Sequence, residues 1–192
     1  MPFRAYDQKK TFLLPPSLDE WIGTEHPARI LSDVVNKLDL SYLRAPQETG
    51  RPAYHPGMLL KVLLWGYATG VRASRKIEGR LHPDIVFMWL AGMERPNFRT
   101  ICLFRRSNLG AIQDLFIQVL MVARGLGMLR LGLVAMDGMK MEANAGCRSF
   151  KGDKEWRKEV RKVKKRVKEI LAEAEAKDRI DDERYGSDKR VY

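Results

Sequence analysis

Hydrophobic residues recur at helical spacing through the first two-thirds of the chain. Residues 1–16 read as an irregular arm ending in Pro15 and Pro16. Ser17 with Glu20 three positions on has the pattern of a capping box, and a short helix through Trp21 and Ile22 follows it. Pro27 opens a second helix, with Ile30, Leu31, Val34, Val35 and Leu38 along one stripe. Residues 40–55, carrying Pro46, Gly50 and Pro52, read as loop. Pro56 suits the first turn of a third helix. Residues 58–68 are apolar nearly all round, with Lys61 the one charge, which predicts a helix buried in the middle of its domain. Gly70 ends it. A short basic helix is expected over 72–81, and another opening at Pro83 and running to 91. Residues 98–124 predict a long helix bent near Gly110, with Ile101, Phe104, Ile112, Leu115, Phe116, Val119 and Val122 mostly on one face.

The pattern changes after Gly125 and Gly127. Residues 128–136 are a short apolar run of strand length, followed by Asp137-Gly138 and a second expected strand from Lys140 to Ala145. The switch from helix to strand near residue 128 predicts a domain boundary. From Lys151 the chain is highly charged: residues 151–169 hold ten Lys/Arg and four Asp/Glu. Trp156, Val160, Val163, Val167, Ile170 and Ala174 step by 4, 3, 4, 3 and 4, the stripe of a long helix of about 25 residues. Such a stripe needs a partner, either a later helix of the same chain or another protomer. Residues 178–192 are polar.

The expected fold class is therefore mainly α. A helical domain over 1–126 leads into a β-hairpin over 127–150, and a charged helix and tail over 151–192 follow.

Composition narrows the function. Hydrophobic residues make up 45% of the 192, enough for a real core. No apolar run reaches membrane-spanning length, and the N-terminus lacks the apolar centre of a signal peptide. Cys102 and Cys147 fit no metal knuckle, and His26, His55 and His82 are scattered, so zinc is not expected; few cysteines suit a reducing cytoplasm. The net charge of +11 points to a polyanion, with nucleic acid the commoner partner of such a chain.

Four features could carry chemistry. Arg72, Arg75, Lys76 and Arg80 form a basic cluster in which Arg72, Lys76 and Arg80 recur every four residues, so a helix would align them. Helix, tight turn, helix is the arrangement that presents a helix to the DNA major groove. A solvated face of a surface helix fits the same residues equally well. Arg99, Arg105 and Arg106 open the long helix; Arg99 and Arg106 share a face, as either DNA contacts or the charged outer side of an amphipathic helix. The basic helix 151–168 fits a solvated coiled-coil face first and DNA second. Asp137 stands where a buried strand would emerge, a place for a Mg²⁺ ligand, though Asp-Gly is also the preferred pair of a tight hairpin turn. Glu142, five residues on, is an ordinary polar strand residue or a nearby second carboxylate.

Several stretches together carry a resemblance: LLPPSLDEWI (13–22), HPARILSDVVNKLDLS (26–41), PAYHPGMLLKVLLWGYATGVRASRKIE (52–78), FMWLAGMERPNFRTICLFR (87–105) and LGLVAMDGMKMEANA (131–145). In this order they resemble the InsH-like transposase N-terminal domain of bacterial insertion sequences. The resemblance implies a helical, helix-turn-helix-like DNA-binding domain followed by a ribonuclease H-like core. In that core a DDE triad of carboxylates binds Mg²⁺ or Mn²⁺ and serves phosphodiester cleavage and strand transfer. Asp137 matches the first Asp of the triad. The implied DNA is double-stranded, the element's terminal inverted repeats. The second Asp and the Glu have no match here, so this chain alone is expected to be inactive, as a fragment or a truncated product. The alternative is a catalytically inactive DNA-binding protein that represses transposition or pairs with full-length transposase. Helix 152–176 is the expected pairing element, in a homodimer or with the full-length protein. The expected location is cytoplasmic and nucleoid-associated, with no membrane partner.

Overall fold

The computed structural model describes residues 17–44, 46, 52–125 and 153–186, with side chains described to residue 120 and again from residue 160. The described residues form helices and contain no strand. The expected strands at 128–136 and 140–145 lie outside them, as do Asp137 and Glu142.

Two His-Pro pairs start the first large helices. In α2 (Pro27–Asn36), Nδ1 of His26 accepts from Ala28 N–H at 3.2 Å, and in α3 (Pro56–Ala68), Nδ1 of His55 accepts from Gly57 N–H at 3.1 Å. The ring nitrogen supplies the acceptor that a helix start lacks, and the proline at the next position gives up no needed N–H. The short α1 (Leu18–Trp21) is capped by Ser17, whose hydroxyl accepts from Asp19 N–H. Arg29 of α2 ties α1 down. It pairs with the Asp19 carboxylate at 2.8 Å, donates to the Ile22 carbonyl, and lies over the Trp89 ring.

The centre of the molecule is α3. Leu59, Leu60, Val62, Leu63, Leu64 and Tyr67 are all at most 1% exposed, so this helix is walled on nearly every side. Each such aliphatic side chain contributes roughly 1.5–3 kcal/mol on burial. Around it pack α2, α4 (Ser74–Arg80), α5 (Ile85–Leu90) and α6 (Phe98–Ser107). Gly70, at φ 80°, turns the chain out of α3. Gly66 lets α4 come close. A β-carbon there would stand 2.9 Å from the Val71 carbonyl oxygen, which is backbone and cannot step aside.

Three boundaries differ from those the pattern predicts. First, α4 begins at Ser74, so Arg72 precedes the helix and is not on its face. Second, α5 begins at Ile85, because Asp84 takes the N-cap and accepts from Val86 and Phe87 N–H. His82-Pro83 therefore does not repeat the cap seen twice before. Third, the long helix is broken at Asn108 rather than bent at Gly110, giving α6 and α7 (Leu109–Gly125). The Asn108 amide donates to the carbonyls of Phe104 and Arg44 and accepts from Arg44 N–H. That trio ends α6 and pins the loop after α2 to it.

The last helix, α8 (Asp153–Tyr185), has 33 residues, several more than the spacing predicts. It packs along α7 and reaches α4. Val167, Ile170, Leu171 and Ala174 are at most 4% exposed and Val163 is half-buried against them, so the second half of the predicted stripe packs into the core of its own chain. Within the chain, the helix it lies along is the earlier α7. Among the described residues no helix is long and apolar enough to cross a membrane.

Candidate nucleic-acid interface

The seven basic residues singled out around α4 and on α6 divide into two groups. The division is made by α8, whose charge is segregated along its length. Residues 160–168 hold six Lys/Arg and no acid, whereas residues 169–183 hold seven Asp/Glu and two Lys/Arg.

The acidic half holds the arginines. Arg105 is fully buried, and its guanidinium meets Asp178 at 2.9 Å and Glu175 at 2.6 Å. Asp178, itself 4% exposed, also accepts from the backbone N–H and the hydroxyl of Ser74 at 2.6 and 2.5 Å. One carboxylate thus joins α8 to the first turn of α4 and to α6. Arg106 donates from Nε to Glu175 at 2.7 Å. Arg72 pairs with Glu173. Arg75 is 4% exposed; its guanidinium carbon lies 3.7 Å from the Phe98 ring centre, and Nη2 donates to Asp182 and to the Gly186 carbonyl. The Gly186 contact sets a positive charge at the C-terminal end of α8, where the helix dipole favours it.

Electrostatics follow burial and pairing. Burial works against ionisation of Glu175, yet hydrogen bonds from Arg105 and Arg106 outweigh it and hold the carboxyl below its ordinary range. Burial pushes the Cys102 thiol up to about 11, with Asp178 adding to the effect, so it stays protonated near neutrality. Burial likewise drives the Tyr67 hydroxyl far above its usual value. These groups stay neutral beside the Arg105 charge and offer no nucleophile.

The remaining candidates face outward. Lys76 and Arg80 are exposed one turn apart on α4, Arg80 lying 3.8 Å from the half-buried Asp84. Arg99 is exposed on α6 and lines a cleft of about 270 Å³ together with Arg106 and Leu103. The predicted shared face of Arg99 and Arg106 is present, and Arg75 also lines it. Asp137, the expected metal ligand, lies outside the described residues. Among the described residues no three His, Cys, Asp or Glu side chains cluster as a metal site requires.

The acids that organise this junction were not singled out from the sequence. A signal existed: Asp178 continues the spacing of Val167, Leu171 and Ala174, and Arg105 sits between Ile101 and Asn108 on the buried side of α6. A charge at a seam position on each of two helices points to a buried pair, since neither is stable there alone.

Residues 16–107, which run from α1 to the end of α6, match the family model described as Transposase domain (DUF772). The match supports a transposase family for the helical segment and a transposition protein as its function. No curated protein and no solved structure matches the chain.

Proposed function

We propose that this protein acts in DNA transposition as a DDE transposase of the InsH-like kind, its helical domain binding the duplex at the element's ends. The observation that carries the reading is the transposase-domain match over the six helices that place Lys76 and Arg80 outward on α4. In this reading α3, the turn at Gly70 and α4 act as a helix-turn-helix, with α4 laid against the major groove. Lys76 and Arg80 stand about 6 Å apart along the helix axis and neutralise neighbouring phosphates. Arg99 extends the surface on α6. Arg72, Arg75, Arg105 and Arg106 hold α8, and the reading gives them that role in place of DNA contact. Asp137 is the first carboxylate of the catalytic triad, and Mg²⁺ or Mn²⁺, when bound in a complete core, would supply Lewis-acid activation of the attacking oxygen.

Binding to a labelled element-end duplex, followed across a salt titration, tests the reading. Lys76→Gln with Arg80→Gln is expected to weaken binding and reduce the salt slope by roughly two units, about one for each phosphate no longer neutralised. Failure of the wild-type protein to bind duplex DNA would overturn it, as would a slope unchanged in the variant.

A further inference from the structure

The basic half of α8 is left over when the arginines of α4 and α6 have been matched to carboxylates. Arg161, Lys162, Lys164, Lys165 and Lys168 are all exposed, and none of them makes an ion pair among the described residues. Arg166 alone in this stretch is paired, to Glu169 at 3.1 Å. The five cations span about 10 Å of helix, roughly one positive charge per 2 Å. Duplex DNA carries one negative charge per about 1.7 Å of its axis, so the two charge densities match.

The surroundings select among partners. A second helix would need the apolar seam, and that seam is buried in this chain's own core at Val167, Ile170 and Ala174. A second copy would also bring like charges face to face. A membrane surface calls for apolar anchors beside the cations, and among the described side chains of α8 the exposed large apolar one is Ile180, at the acidic end. Arg161, Lys165 and Lys168 lie at i, i+4 and i+7, on one continuous side of the helix beside the buried stripe. A rod with its cations in a row suits the backbone of a duplex and has no means of reading bases.

We propose that Arg161, Lys162, Lys164, Lys165 and Lys168 form a second, sequence-independent duplex-DNA contact, a phosphate rail distinct from the α4 surface. The inference rests on the DNA-binding reading above and deepens it. The rail would hold flanking DNA while α4 engages the element's end.

The experiment compares the full chain with a variant carrying Arg161→Gln, Lys162→Gln, Lys164→Gln, Lys165→Gln and Lys168→Gln. Fluorescence anisotropy is read on a random-sequence duplex and on an element-end duplex across a salt titration. Circular dichroism and thermal melting establish that the variant keeps its fold, and a version with arginine at the four lysines keeps the charge. The expected result is a slope lowered by roughly four units on both duplexes, with the arginine version restoring it. A folded variant whose slope equals that of the wild type overturns the rail while leaving the α4 reading in place. A wild-type protein with no affinity for either duplex overturns both. Binding of the wild type to vesicles of anionic lipid in preference to duplex would assign the cations to a membrane and overturn the rail.

Discussion

Arg105 shows how a residue that looks like a ligand for DNA becomes a structural one. By sequence it stands next to Arg106 in a basic pair, yet its side chain has no exposed surface and faces Asp178 and Glu175. A buried cation without its partner is costly, whereas an apolar pair of similar size is often as good as the ion pair. Asp178→Ala is therefore expected to cost about 3–5 kcal/mol in chemical denaturation, and Arg105→Met with Asp178→Leu to recover most of that. A loss under about 1 kcal/mol in the single variant would mean that water already reaches the pair. At this scale the sequence was legible where chemistry is local. Ser17, Pro27 and Pro56 each mark a helix start within two residues of themselves, whereas the caps that His26 and His55 make beside the prolines were not read. It was silent where the partner is remote: Ser74 and Asp178 are 104 positions apart.

The helices form where hydrophobic spacing puts them, and their ends move where a side chain competes for the backbone. Asp84 and Asn108 decide two boundaries in this way, and Ser74 begins α4 too late to include Arg72. The stripe on α8 is present, but the surface that covers it is α7, which periodicity alone has no means to indicate. Docking of α8 depends on carboxylates, and so on pH. Glu175 holds its proton more weakly in the folded chain than its ordinary value of 4.5, so the docked state favours the ionised form. That contribution is complete above pH 4.5 and is lost as the pH falls through the lowered folded value. Melting temperature is expected to fall on acidification below that point, and Glu175→Gln to flatten the fall. An identical pH profile in the variant would show that Glu175 does not sense docking.

Across the whole molecule, α8 acts as a sorter of charge. Its acidic half neutralises arginines of α4, α6 and the turn before α4, and its basic half carries uncompensated charge on the outside. The sequence displayed the cations and the +11 excess but not which of them are matched, because matching is a property of the packed chain. The transposase-domain match ends at residue 107, so the helix that does the sorting lies wholly beyond it. The central claim is that α8 is packed onto α4, α6 and α7 in the single chain. Hydrogen–deuterium exchange across residues 160–182 tests it most directly, because a charged helix without tertiary contacts frays and exchanges quickly in water. Protection of the amides around Val167–Asp178 comparable to that of α4 and α6 is the predicted result. Exchange at the rate of an isolated helix, with α4 and α6 still protected, would contradict it.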